Sequence, residues 1–390
     1  MTDRRLTIML VAAEASGDAL GAGLAKALRA RLGDGVTFVG VGGPRMAEQG
    51  IESPFDIADL SILGWLEGLK AYGLVKRRVA DTVALAKRRR PDAVILIDSW
   101  GFTIRVAKAL RTALPQTKLI KYVGPQVWAS RPGRARTLAS TVDHLLALYA
   151  FDAPWFEREG LPTTVVGSQA LHTDMSRADP DSFRRARGIA PDAELLLVLP
   201  GSRPSEIRLM TPIYETAIHR LKARRPSLEV AVVLAGTVAD DVAARIAAWP
   251  FRTHAVVEAD KYAAMRAATV ALATSGTVST ELAIAGAPMV IAYRFQPLSY
   301  AIMRPFFTGK YATLFNHAAD AEIARELIQA DAKAENVERE VLRLLDDVAG
   351  RQEQVRRQTD ALALMGRGAD DPSDLAAEAV LKVLDAPSQT

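Results

Sequence analysis

Apolar positions follow two rhythms along this chain. Short, almost unbroken apolar runs of strand length occupy residues 6–13, 36–41, 93–97, 119–123 and 145–148, and a second series occupies 195–199, 230–234, 255–257, 270–273 and 289–293. Longer stretches of helical pattern separate them. A strand that is apolar at every position has both faces buried, so the pattern predicts parallel sheets covered by helices on each side. The gap between the two series is polar and arginine-rich, carries Pro180, Gly188 and Pro191, and reads as a linker over residues 172–193. The expected organisation is an α/β domain over residues 1–171, the linker, and a second α/β domain over 194–365. From about residue 321 onward the pattern is helical with a break at 366–373. A last helix within 366–390 is expected to pack back on the N-terminal domain or on a partner subunit.

Composition narrows the class. The chain has 390 residues, enough for two domains with their own cores. Hydrophobic residues at 49% and charged residues at 24% exclude a disordered, collagenous or coiled-coil chain. With no cysteine, disulfides, a thiolate nucleophile and Cys-ligated metals are excluded. The basic N-terminus precedes an apolar run that ends in Glu14, Ser16, Gly17 and Asp18, which is a strand entering a loop rather than an export signal. No run approaches the ~20 apolar residues that span a bilayer. Lys plus Arg exceed Asp plus Glu by only 49 to 45, too little for a dedicated nucleic-acid binder, while a pI near 9.2 suits anionic small molecules or an anionic membrane face. The run Lys87 to Arg90 reads as a solvated helix end.

Ligands of open α/β sheets sit outside the carboxyl ends of the strands, so the loops there carry the candidate chemistry. The loop Glu14-Ala15-Ser16-Gly17-Asp18 has small residues that let backbone approach a ligand, or it is an ordinary turn with Ser16 or Asp18 as helix cap. It matches neither G-x-G-x-x-G nor a P-loop. Asp98 ends a fully apolar strand, where it suits a general base or the cap of the next helix. In Leu199-Pro200-Gly201-Ser202-Arg203, Gly201 and Ser202 free backbone for phosphate contact and Arg203 supplies a bidentate donor. Thr274-Ser275-Gly276-Thr277 puts small hydroxyl residues at a helix start, and Glu281 one turn on suits a ribose diol. The five histidines are scattered, and Asp179-Pro180-Asp181 reads as a turn rather than a metal site.

Together, Ala13 to Asp18, Gly40-Val41-Gly42-Gly43-Pro44-Arg45-Met46, Tyr122-Val123-Gly124-Pro125-Gln126-Val127-Trp128, Leu199 to Arg203 with Glu206, and Ser275-Gly276-Thr277 with Glu281 resemble the lipid-A-disaccharide synthases in order and spacing over nearly the whole chain. The resemblance implies an α/β GT-B glycosyltransferase, with two Rossmann-like domains whose parallel sheets face a central cleft. It implies inverting transfer from UDP-2,3-diacylglucosamine to 2,3-diacylglucosamine 1-phosphate, with Asp98 as base and no metal or cofactor. Gly201, Ser202, Arg203, Ser275, Gly276, Thr277, Glu281 and Asn316 would hold the donor, and Glu14, Ser16 and Gly17 would face the acceptor. After the aspartate the family usually has a Pro-Asp-Phe-Asn run where this chain reads Ser99-Trp100-Gly101-Phe102-Thr103, its Val-Gly-His-Pro is Val166-Gly167-Ser168-Gln169, and its Leu-Pro-Asn is Leu314-Phe315-Asn316. These differences bear on acceptor details and leave the donor loops intact. Competing readings are another UDP-hexosamine GT-B transferase or epimerase, or a non-catalytic lipid- or nucleotide-binding protein.

Acylated substrates imply a peripheral protein on the cytoplasmic face of a Gram-negative inner membrane. The apolar segment from Ile62 to Val75, with Trp65, Leu66 and Leu69, runs into Lys76, Arg77 and Arg78, as interfacial insertion into an anionic leaflet requires. A core helix with a solvated basic end has the same pattern. A homodimer is left open.

Overall fold

The computed structural model describes residues 5–61, 68–296, 300 and 304–386. Two compact units divide the chain: one comprises Met1–Gln169 and Ala369–Thr390, the other Ala170–Gly368. The first is built on a six-stranded parallel sheet of β1 (Leu6–Val11), β2 (Val36–Val41), β3 (Ala93–Ile97), β4 (Lys118–Tyr122), β5 (His144–Ala147) and β6 (Thr163–Val165), in the order β2-β1-β3-β4-β5-β6. Strand β1 shows why continuous apolar runs are needed. Met9 and Val11 join a core with Phe102, Val106 and Leu110 of the helix Trp100–Ala113, whereas Ile8 and Leu10 face the opposite way, toward Leu24 and Leu28 of the helix Ala15–Leu32.

That second face is completed by the end of the chain. The helix Pro372–Asp385 lays Ala376, Ala377 and Val380 on it and runs against the helix Ala15–Leu32. Their approach is close enough that a Cβ on Gly23 would come within 2.7 Å of the Ser373 hydroxyl.

The second unit repeats the plan with β7 (Leu195–Leu199), β8 (Glu229–Val233), β9 (His254–Val256), β10 (Val270–Ala273), β11 (Met289–Tyr293) and β12 (Arg325–Ile328), in the order β12-β11-β10-β7-β8-β9. Counted from β7, this is the doubly wound order 3-2-1-4-5-6. Leu196 and Val198 pack against Met210, Tyr214 and Ile218 of the helix Pro204–Arg224 and against Val337 and Val341 of the helix Ala334–Asp346.

Three expectations need correction. Residues 172–193 are not a linker but part of the second unit. Phe183 and Ile189 are buried, and Arg184 donates to the carbonyls of Ala190, Ala193 and Ala267 while Arg187 pairs with Asp260 at 2.7 Å. Two of the arginines that suggested a solvated linker, Arg184 and Arg187, are staples, while Arg177 and Arg185 are exposed. Second, β6 and β12 have no apolar run, because edge strands of partly exposed residues need none; the region after residue 321 is therefore not wholly helical. Third, Arg78 does not stand as a free cation beside Lys76 and Arg77: it pairs with Asp59 at 2.5 Å and Asp81 at 3.2 Å and lies over the Phe55 ring. Lys76 and Arg77 are exposed. Trp65, Leu66 and the side chain of Leu69 lie outside the described residues. No described helix is long and apolar enough to cross a membrane.

Candidate active site

In the second unit the sheet order reverses between β7 and β10, so the segments after these strands diverge and leave a crevice. A cavity of about 350 Å³ opens there. Gly201, Ser202, Arg203, Ser275, Gly276, Thr277 and Glu281, far apart in sequence, all border it. Gly276 caps the helix Thr277–Ile284 with φ 151°, a conformation that side chains other than glycine's resist. The first N–H groups of that helix have no intrahelical acceptor, so their dipoles favour an anion at this end of the cavity.

The loop after β7 is held differently from the sequence expectation. Glu206, nearly buried, turns its carboxylate back on the loop and accepts from the Ser202 N–H at 3.0 Å, the Arg203 N–H at 3.3 Å and the Arg203 guanidinium at 3.2 Å. The N–H groups of Ser202 and Arg203 are thus engaged and not free for phosphate. Gly201 follows from the same brace. Its φ is 117°, and a Cβ there would lie 2.6 Å from a Glu206 oxygen. What the loop offers a ligand is the Arg203 side chain, 74% exposed.

Across the cavity, Lys261 reaches Glu258 at 2.7 Å and Glu281 at 3.3 Å. Burial alone would depress this ammonium, but the contacts with Glu258 and Glu281 outweigh it and hold the pKa above the usual lysine range. Glu281 also accepts from the Tyr262 hydroxyl at 3.3 Å, and both bonds fall on Oε1. Sequence reasoning missed Lys261, because a lone lysine at a helix start carries no motif.

Asn316 does not belong with this set. Its side chain is fully buried, its Oδ1 accepts from the N–H groups of Ile323 and Ala324, and its Nδ2 donates to the Ala324 carbonyl and to Glu326. Every hydrogen-bonding position of the amide is spent on the chain itself, so its role here is to fold the turn before β12.

The first unit reverses its order between β1 and β3, and there the loops at Glu14 to Asp18 and at Asp98 come together. Glu14 and Ser16 are exposed, while Gly17 lies against the end of β3: a Cβ added to it would sit 3.6 Å from Ile97 Cγ2 and 3.7 Å from the Ile97 carbonyl. Neither Ser16 nor Asp18 caps the helix. Asp18 is buried and accepts from the N–H groups of Gly43, Arg45 and Met46 at 2.8–3.0 Å, tying the loops after β1 and β2 together. Asp98 and Ser99 have φ of 45° and 37°, the left-handed region, just before the helix Trp100–Ala113. Asp98 is half-buried, and among the described residues its carboxylate makes no hydrogen bond with the chain, so it is not that helix's cap.

Further along the same sheet edge, Trp128 donates its indole N–H to Asp152 at 3.0 Å. Burial raises the Asp152 carboxyl to about 6, with the Trp128 bond opposing the shift. Among the described residues, no group of three His, Asp or Glu is placed to hold a metal ion.

The profile of the LpxB lipid-A-disaccharide synthetase family matches residues 8–380. A lipid-A-disaccharide synthase of Rhodospirillum centenum is 44% identical over 380 residues, covering 97% of this chain and 95% of that one. Among solved structures, S. aureus MnaA in a co-structure with UDP superposes with TM-score 0.62 at 14% identity, covering 96% of this chain and 95% of that one. Acinetobacter baumannii MurG does so with TM-score 0.58 at 16% identity, covering 97% and 99%. These two likenesses bear out the two-domain GT-B fold, and the sequence matches over nearly the whole chain show the family: the chain belongs to the lipid-A-disaccharide synthase family of glycosyltransferases.

Proposed function

We propose that this chain transfers 2,3-diacylglucosamine from UDP to the 6-hydroxyl of 2,3-diacylglucosamine 1-phosphate, with inversion at the anomeric carbon and release of UDP. The observation that carries the reading is the cavity at the second sheet's reversal, where an exposed arginine, a glycine-capped helix start and a carboxylate converge. A diphosphate fits that set. Arg203 and the N–H groups of Ser275 to Thr277 would take the charge that grows on the leaving UDP, and Oε2 of Glu281, the oxygen not engaged by Lys261 and Tyr262, would accept from the ribose diol. In the chemical step the acceptor oxygen bonds the anomeric carbon as the bond to UDP breaks, and the hydroxyl proton passes to Asp98. A carboxylate without hydrogen-bond partners among the described residues is available for that proton.

Membrane contact belongs to the same reading, because both substrates carry acyl chains. Lys76, Arg77 and the 59% exposed Tyr72 on the helix Gly68–Arg89 support a peripheral dock on an anionic, cytoplasmic leaflet. The deciding experiment incubates the purified protein with both acylated substrates and follows product mass and UDP. The expected result is disaccharide 1-phosphate with UDP release that requires the acceptor. UDP binding with no disaccharide would overturn the proposal, and interconversion of the UDP-sugar without an acceptor would make the chain an epimerase.

A further inference from the structure

Beneath the Asp98 turn lies a charged group that the reaction scheme above does not use. Lys121 is the fourth residue of β4 in the run Lys-Leu-Ile-Lys-Tyr, and its side chain is only 2% exposed. Its Nζ donates to the backbone carbonyl of Asp98, and to the Thr103 hydroxyl at 3.0 Å. That hydroxyl lies 2.8 Å from the Asp98 carbonyl and 3.0 Å from the Ser99 carbonyl. The four groups form one knot around two consecutive residues in the left-handed region.

Two costs coincide in this knot. Left-handed backbone is unfavourable for Asp98 and Ser99, and a lysine buried among apolar residues such as Leu96, Ile104 and Leu138 loses its hydration. Each helps to hold the other: the strained turn presents its carbonyl to Nζ, and Nζ gives that carbonyl a donor beside the Thr103 hydroxyl. Straightening the turn would leave Nζ with the Thr103 hydroxyl alone. Burial depresses the Lys121 pKa to about 7, while the Asp98 charge favours the ammonium form, so the lysine is electrostatically coupled to the same residue whose backbone it holds.

We infer that Lys121 is a positioning residue for the transfer reaction, fixing the Asp98–Ser99 turn so that the Asp98 carboxylate meets the acceptor hydroxyl. This rests on the reading of Asp98 as the base. A group that only positions the base acts on turnover and not on donor binding, which belongs to the other unit.

The test compares Lys121→Met, Asp98→Asn and the double variant, reading kcat, KM for the UDP-sugar and the thermal midpoint. Lys121→Met should lower kcat about 10- to 100-fold, the scale set by a misplaced reacting group, with donor KM unchanged. Lys121→Gln, which keeps an N–H donor without the charge, should recover part of the loss and serves if the methionine variant folds poorly. In the Asp98→Asn background Lys121→Met should change kcat by less than about twofold, because a positioning residue has nothing left to position. If Asp98→Asn is inactive but Lys121→Met turns over like the parent, the positioning role fails and the base stands. Multiplied losses in the double variant would reduce Lys121 to a structural residue. Near-normal turnover of Asp98→Asn would overturn the base, and the positioning role with it.

Discussion

Replacing Lys121 with methionine should change how stability responds to pH, and the direction follows from burial alone. In the folded chain Lys121 titrates near 7, against an ordinary value of 10.5. Between about pH 7 and 10 the unfolded chain therefore binds one proton more than the folded chain, and unfolding free energy rises with pH by about 1.4 kcal/mol per pH unit. Below pH 7 both states hold the proton and this slope disappears. From about pH 7.5 to 9.5 the gain should reach about 2–3 kcal/mol. Methionine binds no proton, so Lys121→Met lacks the slope. The measurement is urea unfolding of both proteins at about pH 7.5, 8.5 and 9.5, compared as a difference so that groups common to both cancel. Other perturbed groups fall outside the window: burial holds Tyr122 and Tyr214 above the usual tyrosine range, and the contribution of Asp152, present at low pH, is lost as pH rises through about 6. Parallel pH profiles for the two proteins would refute the argument and show that Nζ is solvated.

Three further outcomes are expected. Asp98→Asn should retain UDP affinity while turnover falls by roughly 10²–10⁴, read by calorimetric titration and steady-state UDP release. Arg203→Ala and Glu281→Gln should each weaken UDP binding at least about tenfold, since charge-assisted bonds contribute about 1.5–3 kcal/mol, without lowering the thermal midpoint. Asn316→Ala should do the reverse: three buried bonds and one part-buried bond are lost, so stability should drop by about 2–4 kcal/mol while UDP affinity of the folded protein is unchanged, and a selective loss of affinity would return Asn316 to the proposed donor site.

How much of this is legible in the sequence depends on whether a residue's neighbours are local. The central strands announce themselves, because β1, β3 and β7 are buried on both faces and tolerate few polar residues. Thr163–Val165 and Arg325–Ile328, at the sheet edges, obey no such constraint. The loops that border the second unit's cavity are readable as glycine and hydroxyl clusters after strands. Glu206 is visible beside its loop, but nothing in sequence tells an acid that binds ligand from one that turns back on its own loop; that depends on a side-chain rotamer. Asn316 misleads for the same reason, since an asparagine in the right place points inward. Lys121 does leave a signal, a charge between Ile120 and Tyr122 in the interior of a central strand, and such a charge needs a buried partner.

The two reversal points are built on a common device. Each has a buried carboxylate that accepts backbone N–H groups from a glycine-bearing loop: Asp18 takes those of Gly43, Arg45 and Met46 in the first unit, and Glu206 takes those of Ser202 and Arg203 in the second. Such loops would otherwise be the most adaptable parts of the chain, because glycine costs them little strain in any conformation. A carboxylate fixed by two or three donors removes that freedom before substrate arrives, so the ordering entropy is spent in folding rather than in binding. The device also explains why acids stand beside sites proposed for anions. Their charge is already met by N–H dipoles and, for Glu206, by the guanidinium of Arg203, whose side chain is otherwise largely exposed.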